Sequence, residues 1–402
     1  MKFEANKRLA SLPPYIFVHL GNLKREELAK GKDVIDLGQG SPDQPSPEHV
    51  IKAAAEAMAD GKLHGYPIAN GLPEYREAIR DWYEKRFGAT FDRDKEVLPL
   101  IGSKEGIGHL LMAILNPGDG VLVPSPCYPV HYNGVILAGG TVHTVKLSEE
   151  NGYLPDLSSI SEEAAQNSKA IILNYPNNPT GATLPEGDNS LLEETLKMAK
   201  KYGWLVIYDN AYSEITFDGY KAPSIFELPG AKEHAVEFNS TSKSYSMAGW
   251  RLGFVVGNAE AIAALGKLKG FVDYGVPSFL QKGAIAALNG PQDCVKEAAK
   301  TYQERRDVLV AALAEAGWKV PVPKASMYIW TSLPQEAKGM PSLEFSERLI
   351  REQGVVVSPG TGFGPQGEGY VRFSLIHPPA RLKEGAARIG KFLAGLKQGA
   401  AA

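Results

Sequence analysis

Between Ser46 and Lys269 the chain alternates between segments with apolar residues at helical spacing and short, unbroken apolar runs. HVIKAAAEAMADG and LPEYREAIRDWYEKRFG read as amphipathic helices, the second closed by Gly88. LLEETLKMAKKYG is a third. The apolar runs EVLPLIG, GVLVPSP, TVHTVKL, AIILNYP, WLVIYD, AVEFNST and LGFVVG are strand candidates. Several are apolar on both parities, as strands covered on both faces must be. Strands alternating with helices at this spacing predict a three-layer α/β/α domain around a mostly parallel sheet.

After Pro291 the texture changes. A long helical stretch, DCVKEAAKTYQERRDVLVAALAEAG, precedes the short strands MYIWTSL and YVRFSLI and a last helix, RLKEGAARIGKFLAGL. That is an α+β pattern, and it predicts a second, smaller domain. At the other end, Pro13 and Pro14 interrupt any earlier helix, and VIDLGQGSPD reads as a short strand running into a Gly-rich turn. The expected division is an arm over residues 1–45 packing with the small domain, a large domain over 46–290 and a small domain over 291–402.

A chain of 402 residues exceeds what one core usually supports, and 44% hydrophobic against 22% charged residues excludes a disordered protein. A net charge of −3 with no basic stripe argues against nucleic acid as a partner. The two cysteines, Cys127 and Cys294, rule out a disulfide framework or a Cys-rich metal site, and the eight histidines show no HExxH spacing. The N-terminal segment MKFEANKRLASLPPYIFVHLG has no continuous apolar stretch long enough for a signal peptide, no apolar run approaches the eighteen residues of a membrane span, and the cytoplasm is the expected location.

The chemistry-bearing residues stand at the ends of the expected strands, where open α/β sheets bind ligands. WLVIYD ends in Asp209, AVEFNST runs into Ser240 and Lys243, AIILNYP opens into NNPTG with Asn178, and EVLPLIG leads to Ser103. Each has a plain alternative. Lys243 reads as a solvated lysine or, if desolvated near a cation such as Arg251, as an amine nucleophile. Asp209 reads as a helix cap or as the carboxylate that keeps a pyridinium ring protonated. Tyr212 reads as a core tyrosine or as a neighbour of Asp209 on a helical face. Asn178 is an ordinary turn residue in its own right, and Ser103 is equally a cap or part of a phosphate-binding helix start.

Together, GSKEG at 102–106, NYPNNPTG at 174–181, YDNAY at 208–212, STSKSYSMAGWRLG at 240–253 and YVRFS at 370–374 resemble the class I/II aminotransferases of the aspartate aminotransferase fold, fold type I of pyridoxal-phosphate enzymes. The motifs occur in the family's order over nearly the whole chain. The resemblance implies pyridoxal 5′-phosphate held as a Schiff base on Lys243, with Asp209 at the pyridine nitrogen and Asn178 and Tyr212 at the phenolic oxygen. It implies Tyr128 stacked on the ring, and Ser103, the Lys104 amide, Ser240 and Arg251 on the phosphate. Arg372 would grip the substrate α-carboxylate, a task suited to its planar fork, with the Gly40 backbone nearby. Tyr66 would reach the phosphate of a neighbouring subunit, implying a homodimer with shared active sites. SLPPYIFVHL, DVIDLGQGSPD and LIGSKEGIGHL look most like a bacterial branch containing LL-diaminopimelate aminotransferases and alanine-type transaminases.

The implied reaction moves an amino group between an L-amino acid and a 2-oxo acid by a ping-pong route, with glutamate and 2-oxoglutarate as one pair. A carbon–sulfur β-lyase on the same fold is the alternative. A dinucleotide enzyme is disfavoured, because Pro365 interrupts GFGPQG at 362–367 and a strand follows it. A coenzyme-sensing transcription factor would need a DNA-binding segment, and no basic helix-turn-helix pattern is present. Cys127 and His131, flanking Tyr128, read as packing residues.

Overall fold

The computed structural model describes residues 3–13 and 15–401; Pro14, one of the two expected helix breakers, lies outside the described residues. In chain order the strands are β1 (Ile35–Asp36), β2 (Val97–Leu100), β3 (Gly120–Ser125), β4 (Thr141–Lys146), β5 (Ser168–Asn174), β6 (Leu205–Asp209), β7 (Ala235–Ser240), β8 (Gly253–Gly257), β9 (Tyr328–Ser332), β10 (Val355–Val356), β11 (Ser358–Pro359) and β12 (Tyr370–Ser374). Seven of them form one sheet in the order β2-β8-β7-β6-β5-β3-β4. All run parallel except β8, which is antiparallel to both β2 and β7. The fold is α/β, with a mixed, mostly parallel central sheet.

The double-sided apolar runs are explained by two cores, one on each face of this sheet. Along β6, Val206 and Tyr208 enter one core and Ile207 the other. Along β5, Ile171 and Leu173 point to the first core and Ala170 and Ile172 to the second. Helices Glu48–Ala59, Pro73–Phe87 and Ser190–Tyr202 form where the amphipathic pattern places them. The last two end on Gly88 and Gly203, at φ 68° and 75°, a left-handed conformation in which a Cβ would be strained.

A third core gathers the C-terminal elements together with Ala211, Tyr212, Ile215 and Phe217. Tyr302, Leu309 and Leu313 of helix Asp293–Glu315 pack with Ile329, Phe345, Val371, Phe373 and Leu382. Ile35 and Leu37 from the start of the chain enter the same core. β1 pairs in parallel with β10, while β12 lies antiparallel between β11 and β9, with Arg372 opposite Trp330. The Ser374 amide donates to the Leu37 carbonyl at 2.7 Å, which draws the LGQG turn alongside β12. The helix Ile16–Ala29 packs through Leu20 and Leu23 against Ile350 and Val356.

Candidate active site

The reversal of β8 shapes the site. Ser240 at the end of β7 pairs with Gly253 at the start of β8, so the loop between them stands on the sheet edge where the parallel strands terminate. Thr241 Oγ1 donates to the Leu252 carbonyl at 3.1 Å and closes the base of that loop. Ser240 Oγ accepts from the Ser242 amide at 3.2 Å and starts the short helix Thr241–Ser244 that carries Lys243. Arg251, in left-handed backbone at φ 57°, comes back to the same edge just before β8. β2, β3, β5 and β6 end there too, delivering Ser103, Tyr128, Asn178 and Asp209.

These residues line one cavity of about 690 Å³, together with Gly40, Lys104, Tyr212 and Arg372. Eleven of the twelve site residues expected from sequence are thus brought together. Tyr66 is not: it is 92% exposed, outside the cavity, with its ring 5.7 Å from that of Tyr274.

At one end of the cavity a helix start faces open space. Helix Ser103–Ile114 has Gly102 before it and no side chain capping its first amides. Unpartnered N–H groups at a helix N-terminus favour an anion. Arg251 adds a full charge there: its Nη1 donates to Ala248 O at 3.0 Å, and a Cβ on Gly102 would meet its Nη2 at 2.5 Å. Glu105 Oε2 accepts from the Ile101 amide at 2.9 Å, fixing the turn that precedes the helix. Glu105, His109 and Asp273 also cluster with metal-ligand geometry, but Lys269 Nζ already supplies the cation, 2.9 Å from Glu105 and 3.1 Å from Asp273.

At the cavity floor, Asp209 is buried, and His131 Nε2 lies 2.9 Å from its Oδ2. A carboxylate oxygen can only accept, so the ring nitrogen donates. Asp209 Oδ1 is buried and has no hydrogen-bond partner among the described residues. A buried carboxylate oxygen without a donor is costly, which makes it the natural seat for the N–H of a bound ring. Asn174 organises the surroundings: its Nδ2 donates to Asp209 O at 2.7 Å and its Oδ1 accepts from the Asn178 amide at 2.9 Å.

Lys243 Nζ donates to Gly40 O at 2.7 Å. Burial pushes its amine below the ordinary lysine value, and the cations Arg372 and Arg251 push the same way, outweighing the Tyr328 phenol. Arg372, only 3% exposed, donates from Nη1 to Asn178 Oδ1 at 2.8 Å and from Nη2 to Gly38 O at 2.9 Å. Its Nε is unpartnered among the described residues, so the fork retains donors for an incoming carboxylate.

His131 is more than the packing residue the sequence suggests, because it orients Asp209; a helical spacing of three from Tyr128 was the only local hint, and Asp209 lies 78 positions away. Cys127 does behave as a packing residue: burial pushes its thiol up to about 12, beyond useful reactivity. Tyr328, Asn174 and Phe17 also line the cavity: Asn174 opens the NYPNNPTG motif and Phe17 lies in SLPPYIFVHL, neither singled out from the sequence, and Tyr328 lies in no motif.

A three-layer α/β fold with a lysine, a buried carboxylate and an anion-binding helix start at the strand ends defines an enzyme site of the aminotransferase type. The family model for aminotransferase class I and II matches residues 32–389, and the chain belongs to that family. It is 48% identical over 389 residues to an LL-diaminopimelate aminotransferase of Desulforudis audaxviator, covering 97% of this chain and 98% of the relative. Among solved structures, substrate-bound BacF from Bacillus subtilis superposes with a TM-score of 0.93 at 35% identity, covering 98% of each chain. A probable N-succinyldiaminopimelate aminotransferase from Thermus thermophilus gives 0.87 at 40% identity, over 94% of this chain and 99% of that one. The chain is therefore an aminotransferase, moving amino groups between amino acids and oxo acids, and the lyase alternative is not favoured. No helix among the described residues is long and apolar enough to cross a membrane.

Proposed function

We propose that this protein is a pyridoxal-phosphate enzyme transferring an amino group from LL-diaminopimelate to 2-oxoglutarate, and back from glutamate in the reverse direction. The observation that carries the coenzyme reading is the orphaned, buried Oδ1 of Asp209 on the floor of a cavity that also holds Lys243 and a helix start. The substrate reading draws support from the relative of Desulforudis audaxviator and from a second LL-diaminopimelate aminotransferase, of Aquifex aeolicus, 47% identical over 389 residues.

Bound there, pyridoxal phosphate supplies an aldehyde for amines and a protonated ring that withdraws electrons from the substrate α-carbon. Asp209, oriented by His131, holds the ring nitrogen's proton. Ser103, the Lys104 amide, Ser240 and Arg251 hold the phosphate, and Tyr128 covers the ring face. Asn178 and Tyr212 donate to the phenolic oxygen. Arg372 binds the substrate α-carboxylate beside the Gly40 backbone. Lys243 Nζ would hold and move the substrate α-proton as general acid/base.

A homodimer in the cytoplasm belongs to the same proposal. Tyr66 would complete the partner's phosphate site, and it stands on a surface where Ile68, Phe271, Val272 and Tyr274 are exposed as well. We divide the chain into an arm over 1–45, a large domain over 46–290 and a small domain over 291–402; the core of the C-terminal elements takes in Ile35 and Leu37 of the arm and meets the large domain through Ala211, Tyr212, Ile215 and Phe217.

A donor panel with 2-oxoglutarate tests the substrate. LL-diaminopimelate is expected to give the highest kcat/KM among it, alanine, aspartate, methionine and the aromatic amino acids. A higher value for any of the others would refute the assignment, and oxo-acid-independent release of pyruvate and ammonia from cystathionine would restore the lyase.

A further inference from the structure

Tyr328 is the residue that joins the two halves of the site. It lies on β9, and Arg372 on the antiparallel neighbour β12 faces Trp330, two positions along. Diagonal neighbours on one face of an antiparallel pair are within reach of long and aromatic side chains. The Arg372 guanidinium accordingly lies 3.9 Å from the Tyr328 ring centroid, with the Phe363 ring at 4.6 Å. At its other end the Tyr328 hydroxyl lies 3.0 Å from that of Tyr212. A Cβ on Gly40, whose carbonyl holds Lys243, would run into the same hydroxyl.

We propose that Tyr328 is a positioning residue for transamination, its hydroxyl directing the single proton of Tyr212 and its ring setting the plane of the Arg372 guanidinium. This rests on the pyridoxal-phosphate reading above. A phenol has one proton. If Tyr212 gives its proton to a negatively charged phenolic oxygen, the bond between the two tyrosines must be donated by Tyr328. The groups facing the pair polarise it in that direction. Burial alone would raise the Tyr328 phenol, but the neighbouring cations Lys243 and Arg372 push against it and bring it below the ordinary tyrosine value, making it the more acidic donor of the pair. Burial, followed by the neighbouring Tyr328, holds Tyr212 well above that value, against a smaller opposing effect of Arg372 and with Tyr128 adding to the rise. A donated bond from Tyr328 strengthens the bond Tyr212 itself donates.

The test uses the coenzyme-loaded protein. In Tyr328→Phe the ring stays and the hydroxyl goes. The pH at which the bound coenzyme's visible absorbance titrates is expected to rise by about half to one unit, the worth of one hydrogen bond. KM for the amino acid should stay within about twofold, the cation–π contact being intact. Tyr328→Leu removes the ring as well, and KM should then rise by roughly three- to tenfold. An unchanged titration midpoint in Tyr328→Phe, or an unchanged KM in Tyr328→Leu, would overturn the inference. Borohydride labelling separates the levels: with label on Lys243 in the parent, either of those results sinks only the role of Tyr328, whereas no label there overturns both this inference and the coenzyme reading.

Discussion

Replacing Lys243 with alanine is expected to lower turnover by on the order of 10⁴-fold or more, since both the covalent attachment and the proton transfer at the α-carbon are removed together. The fold should survive. The side chain projects into the cavity rather than into a packed core, and its one hydrogen bond among the described residues is to the Gly40 carbonyl. The environment is also tuned for an amine nucleophile: burial, with Arg372 and Arg251 nearby, holds its pKa below that of a free lysine. The neutral, reactive form therefore persists to lower pH than on a solvated lysine, and reloading of the apoprotein should remain efficient there. Steady-state kinetics and circular dichroism on Lys243→Ala check the first part. Near-parental turnover with a native spectrum would show that the lysine is not the catalytic amine.

Arg372→Ala should instead raise KM for amino acids by on the order of 10²-fold, equivalent to about 3 kcal/mol for a buried charge-assisted fork, with coenzyme affinity unchanged. The guanidinium is anchored from two sides, by Asn178 Oδ1 and Gly38 O, so its donors are aimed before the substrate arrives. Arg372→Lys keeps the charge but not the fork, and should recover only part of the loss. Coenzyme titration and KM measured on both variants decide the matter: weakened coenzyme binding with unchanged KM would move Arg372 out of the substrate site.

Much of this was readable from the chain. The strands of the main sheet stand out because both faces are covered, so β5, β6 and β8 are apolar at every position that matters. Their polar ends then mark the site without any knowledge of the direction of each strand. What was hidden depends on contacts far apart in sequence. Nothing in LGFVVG shows that β8 runs backwards, yet that reversal is what brings Arg251 to the edge where β7 leaves Lys243. Tyr328 sits in MYIWTSL, an apolar strand with no chemical signature, and its partner Tyr212 is 116 positions away. Its role follows only from the register of β9 against β12, which no local pattern determines. Tyr66 shows the converse: the family resemblance singles it out, but one chain leaves the ring in solvent.

The catalytic reading turns on which nitrogen of this protein becomes bonded to the coenzyme. Reduction of the loaded protein with borohydride, followed by digestion and peptide mapping, answers that directly. A single label on Lys243, in the peptide SKSYSMAGWR, is the expected result. A label on any other residue, or no stable label at all, would contradict it.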